Sequence, residues 1–194
     1  MNRNRLLITV MILFLCAYTA IGKESWQFTR INTTNSELSY DVVRKIISDA
    51  RGYIWIGTAK GLNRYDGNSF KVWYKEDLGL ESDFITALAE DAGGNLWIGT
   101  QKGAAMYDFE KDTFIPLSQP TGDGIIITDQ VNNIVCEPSG KVWMTVNNQG
   151  CFSIMSDGTK FRGYQFDRNG VKMPTTFRRY AISENGDFWI ARYH

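Results

Sequence analysis

The side chains of this chain that could carry chemistry are carboxylates, amides and aromatic rings placed at recurring positions. Carboxylates and amides form paired hydrogen bonds with hydroxyl groups, and aromatic rings offer a flat apolar face, a combination that suits sugar recognition. The candidate ligand-binding residues are Tyr40, Asp41, Asp83, Phe84, Asp129, Lys102, Asn147 and Asn148. The chemistry that these residues predict is binding rather than turnover.

Little in the sequence indicates catalysis. The only histidine is His194, the last residue, so Ser-His-Asp and Cys-His arrangements lack a base. No group of Cys or His residues has the spacing of a zinc site, and residues 99–103 lack the spacing of a phosphate loop. We therefore predict that this chain has no catalytic residues, no metal and no cofactor, and that it is not an enzyme.

The charge balance argues against nucleic acid as a partner. Lys and Arg number 21, Asp and Glu also number 21, and the formal net charge is +0. Without an excess of basic residues the chain lacks the electrostatic basis for binding phosphate backbones. The aromatic content of 13% indicates an ordered globular protein.

The elements that must position the candidates follow from an internal repeat. Residues 43–66 return as residues 85–108, every matched position being shifted by 42. The matched pairs are Asp49 and Asp91, Gly52 and Gly94, Trp55 and Trp97, Gly57 and Gly99, Thr58 and Thr100, Gly61 and Gly103, Tyr65 and Tyr107, and Asp66 and Asp108. Looser copies at a shift of 46 are marked by Trp143 and Trp189. A period of about 40–50 residues is typical of propeller blades and solenoid repeats.

Each unit is predicted to be four short strands joined by turns. The strands expected in the second unit are Ile85–Glu90, Leu96–Thr100, 104–107 and 113–117. Four strands of about five residues with their turns fill one propeller blade. The second strand is apolar on both faces, which predicts that blades cover it on both sides, and Gly57 and Gly99 leave room for close backbone approach.

The predicted fold is all-β, a partial β-propeller with about three and a half four-stranded antiparallel blades. The predicted blades are roughly 39–80, 81–126, 127–173 and a truncated 174–194. Propellers close with about four to eight blades. We therefore interpret the chain as a fragment whose uncovered apolar faces would meet the remaining blades or a homodimer partner.

Strand order places all candidate ligand-binding residues on one face of such a propeller. The loops that join one blade to the next carry the candidates from Tyr40 to Phe84 and Asp129. Lys102, Asn147 and Asn148 lie in the loops that follow the second strands. In a sheet of antiparallel strands these two sets of loops lie at the same end.

The first 22 residues differ from the rest and have the pattern of a secretory signal peptide. Basic residues precede an apolar stretch at 6–20, and small residues before Lys23 suit cleavage after Gly22. The alternatives are an uncleaved anchor and lipid attachment at Cys16. We expect residues 23–194 to be periplasmic, with membrane contact only through the signal segment or through regions outside this chain.

Two cysteines remain after the predicted cleavage, and we predict that both are free. Cys136 falls on the first strand of its blade and Cys151 on the third. Two strand spacings separate them by roughly 9–10 Å, whereas a disulfide needs Cα atoms within about 7 Å.

Residues 38–67 and their copy at 80–108 resemble the two-component regulator propeller repeat. The motif is Leu38-Ser-Tyr-Asp-Val-Val followed by Ile-Ser-Asp-Ala-Arg-Gly-Tyr-Ile-Trp-Ile-Gly-Thr-Ala-Lys-Gly-Leu-Asn-Arg-Tyr-Asp-Gly. The resemblance covers about residues 26–194 and weakens in the third unit, where Met144-Thr-Val replaces Ile-Gly-Thr.

This resemblance implies a sensor. Repeats of the family form the periplasmic part of hybrid two-component systems in gut Bacteroidetes, which typically sense oligosaccharides. On that basis the chain is expected to be a ligand-sensing module, with an oligosaccharide ligand, that is truncated and unable to signal alone, any kinase lying outside it. The alternatives are a fragment of a propeller lyase or hydrolase, and a protein-binding propeller.

Overall fold

Antiparallel strands make up nearly all the regular structure of the chain. The computed structural model describes residues 28–117, 126–155, 162–164, 179–182 and 188–191, with backbone only for most of the last three ranges. The predicted signal segment lies outside the described residues. The predicted all-β partial propeller is confirmed.

Three sheets have four strands each, arranged in chain order and antiparallel to their neighbours. Blade 1 contains β1 (Val43–Ser48), β2 (Ile54–Thr58), β3 (Gly61–Tyr65) and β4 (Phe70–Trp73). Blade 2 contains β5 (Ile85–Glu90), β6 (Leu96–Thr100), β7 (Ala104–Asp108) and β8 (Thr113–Pro116). Blade 3 contains β9 (Val131–Cys136), β10 (Lys141–Val146), β11 (Gly150–Met155) and β12 (Arg162–Tyr164). A fourth sheet pairs β13 (Arg179–Ile182) with β14 (Phe188–Ala191).

The repeat extends to the register of the strands. Lys45 pairs with Gly57 in blade 1 and Ala87 pairs with Gly99 in blade 2, and each first strand has an irregularity just before that pair. In the turn between the first two strands, Gly52 takes a φ of 89°, a conformation that residues with a Cβ rarely adopt. The repeat spacing in the sequence and the hydrogen-bond register of the strands therefore define the same repeat unit.

The core lies between neighbouring blades and not within any one of them. Trp55 and Trp97 have no exposed surface, and Trp143 is 8% exposed. One apolar cluster joins residues of blades 1 and 2, and a second joins residues of blades 2 and 3. The prediction that the tryptophan strands are core strands is confirmed for these three blades, and the side chain of Trp189 lies outside the described residues.

The glycine of the second strand lies where two blades approach most closely, as predicted. A Cβ built on Gly57 would lie 2.5 Å from Cγ2 of Ile85 in blade 2. A Cβ built on Gly99 would lie 2.8 Å from Cβ of Val131 in blade 3. Both distances are shorter than a van der Waals contact, so only a residue without a Cβ leaves room at each position for the first strand of the following blade.

One expectation about the second strands is wrong for blade 1. The pattern predicts that Ile54 is covered on both sides, yet it is 38% exposed, whereas its counterpart Leu96 is fully buried. The reason is positional, because blade 1 covers Leu96 and no described blade lies in front of Ile54.

A short helix that the pattern did not predict connects blades 1 and 2. It is α1 (Lys75–Leu78), anchored by the buried side chain of Leu78. Asp77 accepts a hydrogen bond from the Tyr74 backbone N–H at 2.8 Å, and Gly79 ends the helix at a φ of 65°. A single turn is too short to show the apolar period by which helices are recognised in sequences.

The two described cysteines are free, as predicted. Cys136 lies on β9 and Cys151 on β11, with β10 between them. Burial raises the pKa of each thiol to about 12, so neither is a thiolate near neutral pH.

The described residues from Ile31 onwards belong to one compact unit, and residues 28–30 lie outside it. Among the described residues, no helix has the length and apolar character needed to cross a membrane.

Candidate ligand-binding face

Two sets of loops lie at the same end of the blades, where backbone hydrogen bonds hold them together. The Gly61 N–H donates to the Asp83 carbonyl at 2.9 Å, and the Gly103 N–H donates to the Asp129 carbonyl at 3.2 Å. Each bond joins the loop after a second strand to the linker that enters the next blade. We call this end the loop face. It consists of the linkers 38–42, 79–84 and 126–130 and the loops 59–60, 101–102 and 147–149.

In the first linker, both candidate residues contact neighbouring groups of the chain. The ammonium of Lys60 lies 4.4 Å from the ring centroid of Tyr40, a cation–π contact. The carboxylate of Asp41 accepts a hydrogen bond from the Thr33 backbone N–H at 2.8 Å. One face of the predicted aromatic platform is therefore covered by a cation.

The second linker also uses its candidates locally. Asp83 accepts a hydrogen bond from the Lys75 backbone N–H at 2.6 Å, which fixes the start of α1. The guanidinium of Arg44 lies 5.1 Å from the ring centroid of Phe84. Both candidates are half-buried, so their contribution to a ligand would come through their remaining edges.

A buried hydroxyl shapes the loop that carries Lys102. Thr100 Oγ1 donates to the Gly103 carbonyl and accepts from the Lys102 N–H, both at 3.0 Å. Thr58 makes the same pair of bonds with Gly61 and Lys60 in blade 1. The tight turn leaves the side chain of Lys102 exposed on the loop face.

Blade 3 builds its loop differently. Gln149 accepts hydrogen bonds from the Thr128 and Asp129 backbone N–H groups at 3.0 and 3.1 Å and donates to the Ile126 carbonyl at 2.8 Å. The Asn147 side-chain oxygen accepts from the Asn132 amide at 2.6 Å. Asn148 is exposed and has a φ of 57°. Gln149 thus orders the linker that carries Asp129, and Asn148 offers its side chain to solvent.

A cavity of about 150 Å³ opens where three of these segments meet. Its lining residues are Gly79, Leu80, Glu81, Lys102, Ile127 and Thr128. Of the eight candidates selected from the sequence, only Lys102 lines it. The other seven lie on the same face but outside this cavity.

The sequence reasoning missed two polar residues of this cavity, Glu81 and Thr128. Thr128 carried a signal, since a hydroxyl residue precedes Asp83 and Asp129 at the same place in both linkers. Glu81 carried none, because only the fold of the second linker brings it beside Lys102 and Thr128.

Asp66 lies away from the loop face, in the turn between β3 and β4. Hydrogen bonds from the Ser69 and Asn68 backbone lower the pKa of its carboxyl. No group of His, Cys, Asp or Glu side chains in the described part of the chain is arranged to hold a metal ion. What the loop face presents is a mixture of charged, amide and aromatic groups around a small cavity.

The opposite end of the blades carries a contact that the sequence reasoning overlooked. In blades 1 to 3 an acidic side chain just after the first strand accepts a hydrogen bond from the indole N–H of the core tryptophan. The pairs are Asp49 with Trp55 at 2.8 Å, Asp91 with Trp97 at 2.8 Å and Glu137 with Trp143 at 2.6 Å. The sequence pattern indicates only a turn role for these acids. Their constant spacing of six residues before a tryptophan was the available signal.

The sheets, their order and the packing between them define the class of protein, a partial β-propeller. The two-component regulator propeller family matches residues 37–60 and 79–102. The resemblance that the sequence suggested is thereby confirmed for these two segments.

Solved structures with similar folds include the extracellular domains of two putative hybrid two-component systems from B. thetaiotaomicron. The first has a TM-score of 0.69 and 23% identity, and the match covers 84% of this chain and 23% of that domain. The second has a TM-score of 0.67 and 18% identity, covering 86% of this chain and 22% of that domain. The chain thus spans less than a quarter of the extracellular domains that it matches.

An enzyme also shares the fold. Virginiamycin B lyase from Staphylococcus aureus has a TM-score of 0.57 and 17% identity, with coverage of 84% of this chain and 58% of the lyase. No curated protein matches the chain. At these identities the likeness extends to the fold and not to the chemistry.

Proposed function

We propose that this chain is part of the extracellular, ligand-sensing propeller of a hybrid two-component system. The observation that supports this most directly is the pair of two-component regulator propeller repeats at 37–60 and 79–102. The similar folds of two extracellular domains from such systems support the same proposal. In this proposal the domain is exported, the chain contributes recognition, and any kinase activity resides in other parts of the system.

The proposed ligand surface is the loop face, centred on the cavity beside Lys102. Here Glu81 offers carboxylate acceptors, Lys102 an ammonium donor and Thr128 a hydroxyl, while Leu80 and Ile127 supply apolar walls. Such a mixture suits the alternating hydroxyl and C–H surfaces of a sugar, and we propose an oligosaccharide as the ligand.

The size of the cavity limits how much of a ligand it can hold. Drug-sized ligands occupy pockets of about 300–1,000 Å³, whereas this cavity measures about 150 Å³. It would therefore hold one end of an oligosaccharide, and the remainder would lie across the loop face towards Asp129 and Asn148.

Calorimetric titration of the purified chain with a panel of oligosaccharides tests the proposal. Lys102→Ala and Thr128→Ala should each weaken binding by about tenfold, since a hydrogen bond to a charged group contributes about 1.5–3 kcal/mol and a neutral one somewhat less. The matched controls are Lys111→Ala in the turn before β8 and Thr113→Ala on β8, which should leave the affinity unchanged. Absence of heat with every oligosaccharide, or equal losses in the controls, would contradict the proposed site.

We propose recognition in preference to a lyase or hydrolase activity. The loop face has no histidine, since the only one in the sequence is His194, and the thiols of Cys136 and Cys151 have pKa values of about 12. A general base would then have to be a carboxylate of the loop face, and two of these already accept backbone hydrogen bonds, Asp41 from Thr33 and Asp83 from Lys75. The fold likeness to virginiamycin B lyase assigns no catalytic role to them.

A further inference from the structure

The first strands of blades 1 to 3 each contain a β-bulge at the same place, opposite the end of the second strand that leads into the loop face. In blade 1 the pairing with β2 skips Arg44, which is therefore an extra residue of β1. The pairing skips Thr86 in blade 2 and Asn132 in blade 3 in the same way. A bulge re-aims the side chain that it inserts and is often found next to a functional site. We call Arg44, Thr86 and Asn132 the bulge residues.

In blades 2 and 3 the protein itself uses the polar groups of the bulge residues. Thr86 Oγ1 donates a hydrogen bond to the Val131 carbonyl of blade 3 at 2.6 Å. The Asn132 amide donates to the Asn147 side-chain oxygen at 2.6 Å, and the Asn132 oxygen accepts from the Gln130 amide at 3.0 Å. Both side chains are half-buried, and their bonds hold neighbouring segments of the chain together.

Arg44 differs from the other two bulge residues in charge and in surroundings. Its side chain is exposed, and its guanidinium lies 5.1 Å from the ring centroid of Phe84 in the second linker. Among the described residues it belongs to no ion pair. A guanidinium carries five N–H donors in one plane, and contact with a ring face leaves them available at its edges. The ion pairs of the described residues involve Arg51, Lys71, Lys75 and Lys111 instead.

Lys60 brings a second cation to the same linker. The N–H of Gly61, the next residue, donates to the Asp83 carbonyl at 2.9 Å, directly before Phe84. The Lys60 side chain is exposed, and its ammonium lies 4.4 Å from the ring centroid of Tyr40. In the part of the chain that the structure describes, Lys60 has no carboxylate as an ion-pair partner. The two cations thus lie on the blade 1 side of the loop face, each beside an aromatic ring.

The acidic residues of the first two linkers are placed elsewhere. Asp41 accepts hydrogen bonds from the Thr33 backbone N–H at 2.8 Å and from Thr33 Oγ1 at 3.2 Å. Asp83 accepts from the Lys75 backbone N–H at 2.6 Å, and Glu81 lines the cavity. The carboxylates of Asp41 and Asp83 are therefore held by neutral donors, and neither forms an ion pair with the two cations.

We propose that Arg44 and Lys60 bind the anionic group of an acidic saccharide, a carboxylate or a sulfate ester. Arginine binds either oxyanion through two parallel hydrogen bonds, and the ammonium of lysine adds a point charge. The rings of Tyr40 and Phe84 offer apolar surface to the C–H groups of the sugar. Arg44 is the specificity-determining residue, because the bulge residues of blades 2 and 3 are uncharged. The inference rests on the saccharide recognition proposed above and adds the charge of the ligand.

The backbone connects this anionic subsite to the cavity. The Gln101 N–H donates to the Phe84 carbonyl at 3.1 Å, and Lys102, the next residue, lines the cavity. The acidic group therefore belongs to the sugar unit at the cavity end of the ligand, while the rest of the ligand extends towards blade 3.

Calorimetry with matched ligands tests the proposal on the purified chain. The probes are an oligosaccharide of uronic acids, the same oligosaccharide after reduction of its carboxyl groups to alcohols, and that neutral oligosaccharide after O-sulfation. At least one anionic form should bind at least tenfold more tightly than the neutral form, because charge-assisted hydrogen bonds are the stronger ones. This preference should weaken with added salt, and the form that binds more tightly identifies the oxyanion.

Substitutions at Arg44 locate the preference. Arg44→Gln should lower the affinity for the preferred anionic form about tenfold, leave that for the neutral form unchanged and keep the urea unfolding midpoint, since Arg44 is exposed. Arg44→Lys should recover only part of the loss, because an ammonium lacks the planar set of donors. The control is Lys71→Gln on the outer strand β4, which removes the same charge from an ion pair with Asp112 and should leave all affinities unchanged.

The outcomes separate this proposal from the saccharide recognition on which it rests. Equal affinity for the charged and neutral forms would overturn the anionic subsite alone, whereas failure of every form to bind would contradict both. Equal losses in Arg44→Gln and Lys71→Gln would show that net charge sets the preference, contrary to the proposal. Loss of the neutral form in Arg44→Gln would assign Arg44 a role in shaping the loop face and would also overturn it.

Discussion

The two ends of the blades differ in how constant their contacts are from one blade to the next. We call the end opposite the loop face the turn end; it carries the turns between the first and second strands. At the turn end, all three described blades keep a carboxylate bonded to the core indole, even where Glu137 replaces the aspartate of the other two. At the loop face, blades 1 and 2 share a threonine hydroxyl that closes the loop, whereas blade 3 has Val146 there and uses Gln149 instead. The turn end is therefore common scaffold, and the loop face is where blades differ.

Burial explains why the bond between the carboxylate and the indole is kept. The carboxylate of Asp91 and the indole of Trp97 are both buried, so losing either partner leaves a polar group without water or protein to bond. At the loop face Thr58 and Thr100 are buried too, yet blade 3 has Val146 at this position and orders its loop through Gln149, so a different set of bonds can hold the loop. A recognition surface that differs from blade to blade can therefore form at the loop face and not at the turn end.

The largest expected effect tests the turn end. Asp91→Ala removes the acceptor of bonds from the Gly93 and Asn95 N–H groups and from the Trp97 indole, at 2.8, 3.0 and 2.8 Å. We expect a loss of about 3 kcal/mol in the free energy of unfolding measured with urea, because the indole N–H is left buried and unpaired. Asp66→Ala, in an exposed turn with similar backbone bonds, is the control and should lose much less. If the two variants lost equal unfolding free energy, the bond to the buried indole would not account for the constancy of the turn end.

A smaller loss is expected at the joint between blades. Gly57→Ala should destabilise the chain by about 1–3 kcal/mol, since the new methyl group would lie 2.5 Å from Cγ2 of Ile85 and force the blades apart. The control is Gly52→Ala, where no atom lies within 4 Å and only the φ of +89° is unfavourable.

A double mutant separates overpacking from backbone effects at Gly57. Adding Ile85→Ala should make the combined loss smaller than the sum of the two single losses, because the clash partner is shortened. Additive losses in denaturant unfolding would contradict the joint as described.

The smallest effect is expected at the loop face. Thr100→Val removes the hydroxyl bonds to the Gly103 carbonyl and the Lys102 N–H, and should cost about 1 kcal/mol of unfolding free energy. Blade 3 already has valine at this position, so Val146→Thr should give no comparable gain. A loss as large as that of Asp91→Ala would remove the contrast between the two ends of the blades.

Much of the fold could be predicted because it depends on local patterns. Turn residues bounded short apolar runs, so Ile85–Glu90 and Leu96–Thr100 were predicted with the bounds that the structure has. The role of Gly57 and Gly99 was predicted correctly because a glycine inside a strand often marks a place where another backbone or side chain approaches closely. These features require no knowledge of the neighbouring blade.

What could not be predicted depends on neighbours. The exposure of Ile54 follows from the absence of a described blade in front of it, although its type and register are those of a buried residue. The cavity forms where three separate segments meet, so Glu81 gave no signal in its own sequence context. The hydrogen bond from the Trp97 indole to Asp91 had a signal in the constant six-residue spacing, but the position of the acid in a turn indicated only a turn role.

The backbone bonds from Gly61 to Asp83 and from Gly103 to Asp129 run across blade boundaries and connect successive loops in series. A displacement of one linker is therefore shared with the loop of the blade before it, before any strand has to bend. A mechanical load on this face would pass from blade 1 to blade 2 and from blade 2 to blade 3 through these two bonds, and amide hydrogen exchange at Gly61 and Gly103 would report whether they open.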